Sequence, residues 1–497
     1  MVQSQIAKGA IISYIAIFLN IAITFFYTPW MIRQIGMSDY GLYSLVGTFI
    51  SYFIIDFGLS GAITRFVAKY RAEGGQKRVE NMLGLTTKVY LYIDVVIFLI
   101  LFVCYFFLTQ IFTGLTLDEV EKLKVLYILA SVFSVLSFVF RPIDGAMMAY
   151  EYFVESKLVD MIHRVGSVVL IVLALLFGGG VYELIFIMGA IGFLSSLLKY
   201  YIFKHKSHIR INRHFYEKSE VKRLLSFSGW VFVTSIAQRF RLTMIPTVLG
   251  IMANSTEISI FALGMTIEGM TYTLSSALNG LFLPKVTRML HGQDNSESIT
   301  DLMIRVGRLQ LFVIGFILIG FYLIGSDFLA LWVGGEFHDS YYVVVLLTFT
   351  NIIYLTQQIA SDVVYAENKI RYTATLTFVT SALSLVGSVL LAPSLGAVGC
   401  AISFGFAMTI NLVWINFFYK RELNIEIGRF FRECHMQILP LLCAMTVAFF
   451  FLERVINLNS WGKLIGFIAV YSLLYVILTF CFLLNKQEKQ IVCGFIK

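Results

Sequence analysis

The chain has 497 residues, 58% of them hydrophobic and only 14% charged, with a net charge of +8, whereas a soluble globular domain carries about 25% charged residues. That balance excludes a soluble fold, and the 46 Phe and 26 Tyr suit side chains that face acyl chains or belt a membrane interface. Nucleic-acid binding is excluded as well, because the basic residues flank apolar segments and do not gather on one soluble face beside stacking aromatics.

The first apolar run follows Lys8 and continues through Trp30 without a small-residue cleavage site. It is too long for a signal-peptide core and reads as a retained membrane helix. Because about 20 apolar helical residues cross a hydrocarbon core of about 30 Å, the pattern predicts spans near residues 8–31, 41–65, 88–112, 125–150, 157–177, 181–203 and 224–250. A second set follows near 258–283, 309–325, 341–365, 371–391, 396–419, 438–452 and 464–484. The six cysteines are scattered without a CxxC pair, so neither a disulfide framework nor a zinc site is indicated. No connection is long enough for a folded extramembrane domain.

Orientation follows from Lys and Arg in the short loops, which stay on the cytoplasmic side. The even-numbered connections hold Arg65, Lys69, Arg71, Lys77, Arg78 and Lys88, then eight basic residues between 199 and 223, then Lys285, Arg288, Arg305 and Arg308, and later Lys420, Arg421, Arg429 and Arg432. The odd-numbered ones hold only Arg33, Lys122, Lys124, Arg454 and Lys463. Both termini are expected in the cytoplasm.

A weak internal repeat lies at an offset of roughly 216 residues. It sets residues 146–156 (AMMAYEYFVES) against 362–372 (DVVYAENKIRY), Glu151 on Glu367, Gly180 on Gly396 and Lys69 on Lys285. A repeat of six helices gives two copies of like orientation related by an axis along the membrane normal. The expected fold is therefore an all-α integral membrane protein of about fourteen transmembrane helices. Residues 1–215 form an N-lobe and 216–425 a C-lobe around a central cavity, with two further helices in 426–497.

A charge inside the bilayer costs about 2.5–3.5 kcal/mol on insertion scales, so each one needs a partner or a role. Arg141 with Asp144, and Asp160 with Arg164, stand three and four residues apart and are expected as structural ion pairs on shared helix faces. Arg239 and Arg241 lie deep in the seventh span, about 24–27 Å from Arg223 at 1.5 Å per residue. They project about 200° apart, so one is expected to face the interior and the other to meet Glu268. Arg65 reads either as a snorkelling anchor or as a substrate contact. Asp56 has no basic neighbour on its own face, and its partner is another helix, a coupling cation or a proton; Asp94 is the alternative acid for such an ion. Asn351 and Asp362 are among the polar residues expected to hydrogen-bond between helices.

Several runs carry a family resemblance. They are Tyr40-Gly41-Leu42-Tyr43-Ser44-Leu45, then Asp56-Phe57-Gly58-Leu59 and Arg65, then Phe328-Leu329-Ala330-Leu331-Trp332-Val333-Gly334, and Gly396-Ala397-Val398-Gly399-Cys400-Ala401-Ile402-Ser403. On these the chain resembles the polysaccharide repeat-unit flippases of the multidrug/oligosaccharidyl-lipid/polysaccharide exporter superfamily. The resemblance implies two six-helix lobes, a cationic cavity and an undecaprenyl-diphosphate-linked oligosaccharide as substrate, with H+ or Na+ as the coupling ion and membrane lipids as surroundings. It also implies Arg65, Arg239 and Arg241 as substrate-binding residues, since a guanidinium fork matches phosphate oxygens, and a bacterial cytoplasmic-membrane location. Phe240 departs from relatives that often carry an acid before the matched arginine. No nucleophile, metal or nucleotide motif is present for covalent chemistry, so neither a cofactor nor a metal is expected and the chain is not read as an enzyme. Two alternatives stay open in transport, a multidrug/cation antiporter of the same fold and a flippase of peptidoglycan precursors. A membrane polysaccharide polymerase or ligase is the reading from a different class.

Overall fold

The computed structural model describes residues 2–54, 59–212, 214–224, 243–275, 282–290, 292, 297–367, 369–456, 458–485 and 489. Among them every regular element is a helix. Among the described residues eight helices are long and apolar enough to cross a membrane, or nine if a pair bent by 40° counts as one span. The 53-residue helix Ile370–Glu422 contains two of the expected spans, joined at Gly396, whose φ of 52° is non-helical. These elements cover expected spans three to six and nine to fourteen.

Two compact units divide the chain. The first contains Met1–Ala262 and Val389–Gly396, and the second contains Leu263–Ser388 and Ala397–Lys497.

The first unit contains α1 (Val2–Ile35), α2 (Met37–Ser51), α3 (Leu59–Ala72), α4 (Gln76–Ile111), α5 (Leu117–Phe138), α6 (Pro142–Ala149), α7 (Phe153–Leu176), α8 (Val181–Ser207), α9 (Ile245–Met252) and the start of α10 (Ser255–Ser275). The second expected span is interrupted after Ser51. In α4 the buried residues Tyr90, Asp94, Ile97 and Leu101 recur every three or four positions, which is one stripe of a helix. Leu91, Val95, Phe98, Leu99 and Phe102 are exposed on the remaining faces, as a helix bathed in lipid requires. On the stripe, Tyr90 packs on Phe138 of α5 and Tyr127 donates from its hydroxyl to Leu101 O at 2.8 Å. The α5 helix opens on a capping box of Thr116 and Glu119 and ends at the bend before Pro142. A proline at N1 suits a helix start and cannot continue the preceding one.

The second unit is organised around α12 (Ile299–Trp332), with α11 (Leu283–Leu290), α13 (His338–Thr348), α14 (Gln358–Ala366), α15 (Ile370–Glu422), α16 (Met436–Ile456) and α17 (Trp461–Leu478). Its core includes Leu302, Leu311, Ile359, Phe430, Ile438, Leu442 and Leu464. Tyr471 and Tyr475 of α17 donate to Phe316 O and Phe312 O at 2.9 and 2.8 Å, which sets the height of the last helix on α12. A Cβ at Gly307 would stand 2.8 Å from Thr356 O, so this crossing requires glycine. The short helix Pro142–Ala149 followed by Phe153–Leu176 is matched in order by Gln358–Ala366 followed by Ile370–Glu422, in line with the offset read from the sequence.

Candidate functional site

A ladder of charged side chains runs between α6, α7 and α8 of the first unit. Lys199 lies about 12 Å inside the end of α8 at 1.5 Å per residue. Its Nζ stands 2.8 Å from Asp144 Oδ1 and 2.8 Å from Asp160 Oδ1, and toward the end of the same two helices Lys206 pairs with Glu155. The expected pairs Arg141–Asp144 and Asp160–Arg164 are therefore replaced. One ammonium from the packed neighbouring helix satisfies both carboxylates, which neither arginine on the acids' own helices does. Arg141 stands exposed at the bend before Pro142.

Arg164 is thereby released from its expected role. It turns toward α1 and donates from Nη2 to Thr24 Oγ1 at 3.1 Å. It lies midway along α7, about 16 Å from the first residue and 18 Å from the last, and its side chain is exposed.

The other candidate residues are dispersed. Asp56, Arg239 and Arg241 lie outside the described residues. Arg65 is on the exposed face of α3, one turn before Lys69. Beyond that turn is a cavity of about 410 Å³ lined by Lys69, Arg78, Arg223, Glu73, Glu217 and Glu220 among others, and Arg65 does not line it. Its cations are already met by acids, Arg78 with Glu73 at 3.2 Å and Arg223 with Glu220 at 3.6 Å. Asp94 is buried on the α4 stripe, and its Oδ1 has no hydrogen-bond partner among the described residues. Glu268, in the second unit, is buried and accepts from Asn351 Nδ2 at 3.2 Å, so this expected interhelical polar residue meets an acid.

At the end where the odd-numbered connections lie, the first unit is clasped shut. Glu119 Oε1 accepts from Ser38 Oγ at 2.7 Å and from Ser255 Oγ, while Oε2 accepts from Thr116 N at 3.0 Å. Ser259 Oγ donates to Met37 O, Thr113 Oγ1 to Ile251 O at 3.0 Å, and Gly114 N to Gly250 O at 3.2 Å. Lys122 and Asp39 pair at 2.8 Å. Small residues allow the approach: a Cβ at Gly41 would stand 2.7 Å from Ser259 Oγ and closer still to Ser255 O, and one at Gly114 would stand 2.5 Å from Ala253 O.

The family model described as "Polysaccharide biosynthesis protein" matches residues 6–290, more than half of the chain. The chain belongs to this family. Over 497 residues it is 21% identical to the "Uncharacterized membrane protein EpsK" of Bacillus subtilis (strain 168), covering 96% of this chain and 95% of that protein. Over 194 residues it is 23% identical to the "Probable low-salt glycan biosynthesis flippase Agl15" of Haloferax volcanii, covering 39% and 40% of the two chains. Among solved structures it is similar to a lipid II flippase, MurJ, in an inward closed conformation, with a TM-score of 0.69 at 13% identity over 96% of this chain and 99% of that one. An inward-facing multidrug resistance MATE family transporter of the MOP superfamily matches with a TM-score of 0.62 at 14% identity, over 81% and 97%. At such identities these two structures establish the fold.

In this member of the polysaccharide biosynthesis protein family, two important side chains are absent from the sequence-based candidates. Lys199 counts there as the first of the basic residues of the connection after the sixth span, whereas α8 runs to Ser207 and keeps Lys199 two turns inside the helix. Arg308 counts as a loop charge too, yet α12 begins at Ile299 and buries it. Arg308 donates to Glu433 O at 2.9 Å, Gln437 Oε1 at 2.7 Å and Leu483 O at 2.7 Å. Glu433 and Leu483 each lie in a π-helical segment, Phe431–His435 and Thr479–Leu483. Such segments disturb the regular backbone ladder, and one guanidinium collects a carbonyl from both, fixing the C-terminal helices to α12. The signal that could have found Glu119 is the Thr116-x-x-Glu119 spacing before an apolar run.

Proposed function

We propose that this chain is a flippase that carries undecaprenyl-diphosphate-linked oligosaccharides across the bacterial cytoplasmic membrane, the polyprenyl tail remaining in lipid while the headgroup crosses. Membership of the polysaccharide biosynthesis protein family supports this reading, as do the flippase names of the Haloferax relative and of the MurJ fold neighbour. The observation that carries it is Arg164, an exposed guanidinium midway along a membrane helix whose hydrogen bond goes to a neutral hydroxyl. An intramembrane cation in that state is a functional group by default, and its planar fork matches phosphate oxygens. Arg65, Arg239 and Arg241 are the further cations assigned to the headgroup.

With both termini in the cytoplasm, the Glu119 clasp belongs to the outer side and closes it while substrate enters from the inner leaflet. Opening the clasp and closing the inner side then completes alternating access. A proton or Na+ gradient acts through Asp94 or Asp56. The cycle makes and breaks hydrogen bonds and ion pairs only, so the protein is a transporter and not an enzyme.

The test is reconstitution of the full chain in vesicles holding a fluorescent lipid-linked oligosaccharide, with a membrane-impermeant quencher reporting the outer leaflet. Transfer well above that of empty vesicles is expected, together with loss of surface polysaccharide in a deletion strain. Equal transfer in both vesicle types and intact surface polymer would overturn the proposal.

A further inference from the structure

Within the first unit, α1 and α7 leave a groove of about 410 Å³ between them, walled by Ile23, Phe26, Tyr27, Trp30, Val168 and Val172. The two helices rise together: Arg164 meets Thr24, and the next turns of α7, Val168 and Val172, share the groove with the next turns of α1. Along α1 the groove runs from Ala22 and Ile23, beside Thr24, to Trp30, about 12 Å at 1.5 Å per residue, so the Arg164 guanidinium stands at one end of it. Its walls are almost wholly apolar, and the polar atom of Tyr27, Oη, is buried in them without a hydrogen-bond partner among the described residues. One end is thus cationic and the rest is aliphatic and aromatic.

That gradient describes a ligand with one anionic end and one long apolar chain. A diacyl phospholipid fits poorly, since a single groove leaves its second chain outside. An isoprenoid chain fits better, because its flat double-bonded units can stack on the faces of Phe26, Tyr27 and Trp30. Charge complementarity sets the direction: the phosphate lies at Arg164, and the chain runs along α1 toward Trp30.

Deepening the flippase reading and resting on it, we propose that the α1/α7 groove binds the first isoprene units of a polyprenyl diphosphate while Arg164 holds its phosphate. This is a binding site for the lipid portion of the substrate, distinct from any recognition of its sugar.

The experiment measures binding of undecaprenyl diphosphate without sugar to the purified full-length protein, with phosphatidylglycerol and inorganic pyrophosphate as competitors. Saturable binding is expected, with neither competitor effective at equal concentration. Arg164→Ala loses ~10- to 100-fold in affinity, as removal of charge-assisted hydrogen bonds implies, and Arg164→Lys keeps part of it. Val172→Trp fills the groove and weakens binding while leaving Arg164 in place, so it tests the site independently of the charge. All three variants must elute and unfold like the parent. If the parent binds and either Arg164→Ala or Val172→Trp binds equally well, the site is refuted and the flippase reading stands. If phosphatidylglycerol competes equally, the groove takes ordinary lipid, and if pyrophosphate alone competes equally, the chain plays no part; either result refutes the proposal. If the parent binds no polyprenyl diphosphate at all, the flippase reading falls with it.

Discussion

Replacing Gly41 by Ala should open the end of the protein that the Glu119 clasp closes. The new Cβ would stand 2.7 Å from Ser259 Oγ and nearer still to the backbone oxygen of Ser255, where carbon and oxygen need about 3.3 Å. A backbone atom in the first turn of α10 cannot rotate away, so the helix start must retreat by about 1 Å. That movement carries the Ser255–Glu119 and Ser259–Met37 hydrogen bonds beyond useful range. A bond to a charged acceptor contributes about 1.5–3 kcal/mol and a neutral one about 0.5–1.5, so the clasped state loses roughly 3 kcal/mol. This is on the order of 100-fold in the ratio of clasped to open molecules. Alanine also raises the helix propensity of α2 by ~1 kcal/mol, but α2 is helical in both states and the gain cancels. The assay is labelling of Ile258→Cys, a position with 0% exposure, by a bulky impermeant maleimide in a cysteine-free background. Labelling should rise by one to two orders of magnitude when Gly41→Ala is added. Equal labelling with and without it, in protein that unfolds at the same temperature, would refute the reasoning.

Three further outcomes are expected. Lys199→Met should destabilise the protein more than Asp144→Asn, since it leaves two carboxylates without their cation; both acids are partly exposed, so the cost is ~1–2 kcal/mol, below that of a fully buried pair. Unfolding midpoints in detergent measure the order, and the reverse order would contradict the ladder. Arg308→Met should cost ~2–4 kcal/mol by orphaning the acceptors it now serves, and it should speed hydrogen exchange in Phe431–His435 and Thr479–Leu483 ahead of the rest of α12. Asp94→Leu should raise the unfolding midpoint, with a gain of ~1–3 kcal/mol in stability for removal of a buried carboxyl whose Oδ1 has no partner among the described residues, and a fall would show that the carboxyl is satisfied in the folded protein.

Much of the architecture was legible because it depends on local quantities. A run of apolar residues long enough to cross lipid announces a helix wherever it lies, and the apolar runs after Lys88, Lys157 and Val181 correspond to α4, α7 and α8. The Thr116/Glu119 cap, the bend at Pro142 and the break at Gly396 are likewise written in neighbouring residues. Membership of the polysaccharide biosynthesis protein family could also be expected from short motifs, since packing and turn signals recur along the whole chain.

What a helix does at its ends, and which charge meets which, depended on parts of the chain far apart in sequence. Spacing favoured Asp160 with Arg164 on one helix, yet Asp160 and Asp144 share Lys199 from another, 39 and 55 residues away. Counting Lys199 and Arg308 as loop charges put both outside the membrane helices, whereas α8 and α12 hold them within, where carboxylates or carbonyls stand opposite them. Glu119 could be read as a cap from its own neighbours, but Ser38 and Ser255 come to it only through the packing of α2 and α10. Apolar burial is a property each segment carries alone, so sequence suffices for it; the pairing of charges is a competition among partners, and only the folded chain decides the winner.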